Sequence, residues 1–426
     1  MLLKPTKRGR VIVWGLFAAL LIAAPMVFTS GLSLTMLSQM GIAIIACLSF
    51  NMLLGQGGML SFGHAVYSGL GAFVAIHALN DYTGGAWPLP VSLVPLVGGF
   101  AGMFFAFLFG FVTTRKAGTT FSMITLGLGE LVFAMSLMVP EFFGGEGGVS
   151  GNRVVGESFM GITYGPARQV YYLIAVYTFI SVALMFAFTQ TPLGRMLNAV
   201  RDNPERVEFV GYNTQRVRYI AFIIAGFFAG ISGGLGALNF EIVNAEVVHA
   251  ARSGAYLLFT FLGGATFFFG PIIGAVLMVL AFVLFSEFTK AWLLYLGLIF
   301  LFMVMYAPGG IASLIMMNLR VAAYGQWRRN WVLHYLAMAA TLLVALAGAS
   351  AIIEMVYHLQ LSSTAGSELH FLGTDIDVAS AKSWLGASAL LIVGGGLFEV
   401  CRRQFAKAWG HAQEQIQKEI QRREAL

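Results

Sequence analysis

The sequence predicts an all-α polytopic membrane protein of about twelve crossings (ten to twelve), with both termini cytoplasmic and Gly-broken helices in its core. Three observations carry this. The chain has 426 residues, 58% hydrophobic and only 10% charged, whereas a soluble domain carries about 25% charged residues. Apolar runs of roughly 20 residues, the length that spans a bilayer, recur along it. Its 51 glycines suit helices that pack in lipid through small side chains.

Spans fall near residues 11–29, 32–54, 60–80, 89–113, 119–139, 170–189, 217–239, 291–307, 331–357 and 384–401. Lys4, Lys7, Arg8 and Arg10 ahead of the first run have the layout of a secretory signal, but a second span follows almost at once, so the first helix is read as uncleaved. The stretch 254–287 is too long for one simple span and is interrupted by Gly263-Gly264 and Gly270-Pro271. Charge decides its parity. If it crosses twice, 20 of the 25 Lys and Arg lie on the N-terminal side of the membrane, and only Arg153, Arg168, Arg252, Lys290 and Lys382 lie opposite. A single crossing would export Arg320, Arg328 and Arg329, against the positive-inside tendency. A re-entrant helix pair is the alternative for this stretch.

On this topology the loop 141–169, Gly-rich with Glu141, Glu146 and Glu157, and the acidic loop 358–383 face outward. Residues 402–426 read as a charged, solvated cytoplasmic helix. The chain divides into 1–318, a core, 319–401 with two further spans, and this polar tail. Cys47 and Cys401 lie in or beside apolar runs and make neither a metal motif nor a disulfide framework.

The most polar inward segment is residues 191–218, TPLGRMLNAVRDNPERVEFVGYNTQRVR. It predicts two short helices. Pro204 stops the first and starts the second, Asp202 or Asn203 caps the second, and Gly211 ends it in the left-handed conformation. Arg195, Ala199, Asp202 and Arg206 share one face of a continuous helix, with Met196, Leu197 and Val200 elsewhere. Such a pair lying under a bundle is a surface for another protein to grip; an ordinary basic cytoplasmic loop accounts for the charge equally well.

Two apolar stretches carry polar groups. In GQGGMLSFGHAVYSGLGAFV, residues 55–74, Gly55, Gly57 and Gly58 can unwind the backbone beside Gln56, Ser61, His64 and Tyr67. Unwound backbone at membrane depth survives only where protein buries it or where it lines a watery cavity. Ser61, Ala65 and Gly69 form a small-residue stripe, for which plain helix packing is the stronger reading. His64 serves equally well as a satisfied core histidine or as part of a pathway. Glu130, in TFSMITLGLGELVF (120–133), is the carboxylate that falls well inside a span, either functional or hydrogen-bonded between helices. Glu354 and Glu399 lie nearer span ends and need no such role.

No G-x-x-x-x-G-K-[ST] occurs, so no phosphate-cradling loop is present. ISGGL at 231–235 resembles an ATPase signature peptide but lies in an apolar span, where it reads as packing. No zinc spacing and no nucleophile elbow appear either, so neither a metal site nor catalytic residues are expected. The residues leave open a gate worked by separate motors, a secondary transporter built on Gly-broken helices, and a membrane scaffold.

GQGGMLSFGHAVYSGLGAF, TLGLGEL, GRMLNAVRDNPERVEFVGYN, AGFFAGISGGLGAL, FLGGATFFFGPIIGA and YAPGGIASL occur in this order over residues 11–316. Together they resemble the permease subunits of bacterial branched-chain amino acid ABC importers, the LivM-type more than the LivH-type. The resemblance implies an inner-membrane importer subunit that pairs with a LivH-like second permease, two ABC ATPase subunits and a periplasmic substrate-binding protein. This chain would bind no cofactor; ATP would be used by the partner subunits. The resemblance makes Gly194, Arg195, Ala199, Arg201, Asp202 and Gly211, with Glu205 between them, the ATPase-coupling loop. It assigns Gln56, Gly57, Ser61, Gly63, His64 and Glu130 to the translocation core. Residues 131–133 lack an arginine common after that glutamate, and Ala255 replaces a common acidic residue. Urea and short-amide importers share the scaffold. Residues from about 319 onward have no counterpart in the pattern.

Overall fold

The computed structural model describes residues 7–83, 90–154, 162–324, 329–361, 368–371 and 374–424; Lys4, Glu157 and Arg328 of the sequence reading lie outside them. The chain forms two compact units, residues 1–287 with 298–313, and residues 288–297 with 314–426.

The first unit begins with α1 (Lys7–Val27), α2 (Gly31–Asn51), which runs on into a π-turn at Met52–Gln56, and α3 (His64–Thr83). Next come α4 (Val94–Thr113), α5 (Gly118–Met138) and the single turn α6 (Pro140–Phe143). α7 (Ala167–Gln190) leads into the short helices α8 (Pro192–Asp202) and α9 (Pro204–Phe209), then α10 (Thr214–Phe240). Short strands β1 (Val149–Ser150) and β2 (Ile242–Val243) pair antiparallel. The 254–287 stretch resolves into α11 (Ala250–Gly263) and α12 (Gly270–Leu280), the latter continued by a second π-turn, Ala281–Phe285, and the short α13 (Ser286–Phe288). α11, at 14 residues, is shorter than the roughly 20 residues a span needs, whereas α12 with its continuation to Phe288 comes close to that length.

Among the described residues seven helices are long and apolar enough to cross a membrane, or eight if the bent pair α14 (Trp292–Tyr306) and α15 (Gly310–Ala323) counts as one. The apolar part of α1, Val11–Val27, and the stretch Gly270–Phe285 are shorter. The run read at 60–80 becomes α3, which is not among the seven. His64, His77, Asn80 and Asp81 interrupt its apolar sequence, yet it is buried along most of its length, chiefly against α4 and α10.

Small residues set how closely these helices approach. A Cβ on Gly71 would lie 2.7 Å from the Gly230 Cα, and one on Gly233 would lie 1.8 Å from the Ser68 carbonyl oxygen. The ISGGL stretch is therefore a packing surface. Gly233→Ala is expected to destabilise the fold by about 1–3 kcal/mol, the usual cost of overpacking, read as a lower thermal midpoint in detergent. Gly236→Ala, on the same helix with nothing within 4 Å of the added carbon, is expected to leave that midpoint unchanged. The Ser61–Ala65–Gly69 stripe packs too, though against shorter elements than a membrane helix. Gly69 abuts Val247 and Val248 in the 3-10 turn Ala245–Val248, and the Ala65 N–H donates to Ser253 Oγ at the start of α11 (2.9 Å).

In the second unit α16 (Arg329–Leu361) and α17 (Ala381–Glu424) form an antiparallel pair, with Gly348 against Ala387 and Leu391 and Gly394 against Ala345. Strands β3 (Glu368–Phe371) and β4 (Thr374–Asp377) form a hairpin. The last span and the charged tail are one 44-residue helix, α17. Glu354 accepts hydrogen bonds from the hydroxyls of Thr289 and Tyr295, so it is a structural acceptor. Glu399 pairs with Arg402 and Arg403.

Candidate functional site

The polar loop folds from its own capping residues. Thr191 Oγ1 accepts from the Gly194 N–H (3.1 Å) and starts α8, and Asn203 Oδ1 accepts from the Arg206 N–H (3.0 Å) and starts α9 behind Pro204. Of the two caps considered, Asn203 is the one used. Gly211 ends the second helix at φ +88°, and Asn213 caps α10 through the Arg216 N–H (2.9 Å). Gly194 leaves no room for a side chain, since a Cβ would lie 2.3 Å from the Phe188 carbonyl oxygen. Leu197, Val200 and Val207 are buried, while Arg195, Ala199, Asp202, Glu205 and Arg206 are exposed. Beyond them, Phe209 is 89% and Val210 74% exposed. Both are large apolar side chains at the tip of a charged loop, and the sequence reading passed over them.

The Gly-rich stretch breaks the chain between α2 and α3. The π-turn over Met52–Gln56 gives way to non-helical backbone, with Gly58 at φ +64°. Gly55 lies against the Ala265 carbonyl oxygen (2.3 Å from a Cβ built there), so this break touches the one between α11 and α12. Gly264 in turn abuts the Gly309 carbonyl oxygen (2.5 Å). Three breaks, each marked by glycine, thus stack on one another.

The loop and the break, read separately from sequence, are in direct contact. An Arg201 guanidinium nitrogen donates to the Gly55 carbonyl oxygen, the carbonyl of a residue inside the π-turn. The aliphatic stem of Arg201 packs on Gly58, and Leu197 packs on Gly57. Asp202 accepts from Arg201 Nε (2.9 Å) and holds the guanidinium in place.

Deeper in, the break is rich in polar atoms without partners. Asn51 Oδ1, Ser61 Oγ and His64 Nδ1 are buried and have no hydrogen-bond partner among the described residues. His64 sits beside Phe50, Tyr67 and Tyr256, and its Nε2 lies 2.9 Å from Ser49 Oγ. Ser49 spends its hydroxyl hydrogen on the Ala46 carbonyl (2.8 Å), so His64 Nε2 is the donor of that pair and Nδ1 presents an empty acceptor. α5 braces the same segment. Ser122 Oγ donates to the Leu60 carbonyl (2.8 Å), and the Phe62 N–H donates to Thr125 Oγ1 (3.2 Å). Gly63 fits because a Cβ there would lie 2.3 Å from the Thr125 carbonyl oxygen.

Gln56 is half-buried, and Gly57, Ser61, Gly63 and His64 are buried around this break. Glu130 is not brought to it. Its neighbour Gly129 faces Gly63, but Glu130 itself is exposed on the opposite side of α5, with Gly127 and Ala134 exposed beside it. Asn51, Ser49 and Thr125 escaped the sequence reading because hydroxyls and amides in an apolar run give no signal of where they point. No group of three or more His, Cys, Asp or Glu positioned to hold a metal occurs among the described residues.

A family model described as "Branched-chain amino acid transport system / permease component" matches residues 32–309. The chain is 30% identical to the high-affinity branched-chain amino acid transport system permease protein LivM of Salmonella typhimurium and 29% identical to that of Escherichia coli. Each alignment covers 66% of this chain and 70% of the relative. No solved structure matches the chain.

Proposed function

Since the chain belongs to the branched-chain amino acid transport permease family, we propose that it is a permease subunit of an ABC importer for branched-chain or other hydrophobic amino acids. On this reading separate ATPase subunits grip α8 and α9, and a second permease completes the pathway. A binding protein on the opposite side of the membrane delivers the substrate. The observation that carries the reading is the bond from Arg201 to Gly55. It ties the exposed, mixed-charge helix pair to the broken backbone of the core, so displacement of one pulls on the other.

Glu130 supports a second permease. A carboxylate facing lipid near mid-span costs about 2.5–3.5 kcal/mol, and Glu130 has no ion-pair or hydrogen-bond partner among the described residues. A neighbouring subunit or a watery path between subunits removes that cost, and the flanking Gly127 and Ala134 allow close approach.

The reading requires α8 and α9 to lie in the cytoplasm, with both termini on that side and about twelve crossings. Glu205→Cys, in a chain with Cys47→Ala and Cys401→Ala, is expected to react with a membrane-impermeant thiol reagent in inside-out vesicles and not in intact spheroplasts. Labelling in spheroplasts would place the loop beyond any ATPase and end the proposal. Isolation of the chain with ATPase subunits, and amino acid uptake that requires ATP, tests the reading as a whole. Uptake driven by a proton gradient in this chain alone would favour a secondary transporter.

A further inference from the structure

A cleft of about 50 Å³ lies where α3, α10, α11 and β2 meet, lined in part by Ser68, Ser232, Gly236, Val243, Arg252 and Tyr256. Arg252 is the one charged residue in its wall. We infer that this cleft is a seat for an amino acid substrate, with Arg252 receiving its α-carboxylate; the inference rests on the importer reading above.

The guanidinium is already oriented. Arg252 Nε donates to the Tyr256 hydroxyl (3.3 Å), which leaves the two terminal nitrogens free to form the forked pair that suits a carboxylate. No carboxylate among the described residues lies within ion-pair distance of Arg252, and Glu246 acts on it only from further away. Two other lining residues suit the other end of a zwitterion. Ser68 Oγ donates to the Ala65 carbonyl (3.1 Å) and Ser232 Oγ to the Ala229 carbonyl (2.7 Å). Each hydroxyl oxygen keeps its lone pairs for an ammonium group. Val243, with Ile42 and Val247 of the same wall, supplies the apolar surface an aliphatic side chain needs.

The seat also leads somewhere. The Tyr256 ring lies 6.4 Å from that of His64, whose Nδ1 is the buried acceptor without a partner. In the present conformation the cleft has room for a few waters only.

The test uses the intact transporter purified with its partner subunits but without the binding protein, so that selection by that protein does not intrude. Thermal stabilisation by leucine is compared with stabilisation by leucinamide, which lacks the carboxylate. The wild-type complex is expected to respond to leucine at concentrations at least tenfold lower than to leucinamide. Arg252→Gln is expected to abolish the preference, and Arg252→Lys to retain part of it. Gly236→Ala, whose added carbon meets nothing within 4 Å, is expected to weaken the response to both compounds while the unliganded midpoint stays unchanged. A wild-type complex without the preference, or an Arg252→Gln complex that keeps it, overturns the seat. ATP-dependent leucine uptake by the same wild-type complex in proteoliposomes, with the binding protein added back, separates that result from failure of the importer reading, which would leave no uptake at all.

Discussion

Arg201→Glu is expected to reduce substrate-stimulated ATP hydrolysis and uptake by about 10- to 100-fold while the chain still inserts and assembles. The reason is local. The substitution removes a charge-assisted hydrogen bond to the Gly55 carbonyl, worth roughly 1.5–3 kcal/mol, and sets a carboxylate against that carbonyl and against Asp202. Arg201→Lys keeps the charge but loses the fork that reaches both Gly55 and Asp202, so an intermediate loss is expected. Asp202→Ala is expected to be milder than Arg201→Glu, because the exposed Arg201–Asp202 pair itself contributes little. Uptake and ATP hydrolysis measured side by side in proteoliposomes check the order. Equal activity in Arg201→Glu and wild type would mean that the loop is not mechanically joined to the core.

The second large effect is expected at Phe209. An 89% exposed phenylalanine next to a 74% exposed valine is the form an interface anchor takes before its partner arrives. Phe209→Asp is expected to weaken association with the ATPase subunit by about 30- to 1,000-fold, the range of an anchor worth about 2–4 kcal/mol. Phe209→Leu is expected to retain most of the affinity. Because Phe209 is 89% exposed, the thermal midpoint of the isolated permease is expected to stay nearly the same. Unaltered ATPase binding by Phe209→Asp, measured by co-purification under increasing salt, would assign the side chain to the lipid surface instead.

Much of this was readable before any coordinates. Pro204, Asn203 and Gly211 are punctuation with a local cause, so the two helices of the loop and their ends follow from residue type alone. The face that Arg195, Ala199, Asp202 and Arg206 would share on a continuous helix does not form, because the chain breaks at Asn203 and Arg206 belongs to α9. The Gly-rich break after α2 was visible as well, since glycines in an apolar run have few other uses. Three features lay beyond that reading. The contact between Arg201 and Gly55 joins residues 146 positions apart, and no local pattern encodes it. The side of α5 on which Glu130 emerges depends on helix rotation, which in a uniformly apolar helix nothing in the sequence specifies. The count of crossings depends on whether α11 and α12 each traverse the bilayer, and their lengths fall below what hydropathy alone can judge.

The widened turn at Met52–Gln56 has a geometric corollary. A π-turn holds about one residue more than the α-helical turn it replaces. Were it to rewind as an ordinary helix, the backbone after it would advance by one residue, about 1.5 Å along the axis and roughly 100° around it. Gln56 and the segment leading to Ser61 and His64 would then swing to a new bearing, although nothing had travelled far. The Gly55 carbonyl inside this turn is held by Arg201 of α8, so on the proposed importer reading that contact would have to loosen for the turn to rewind.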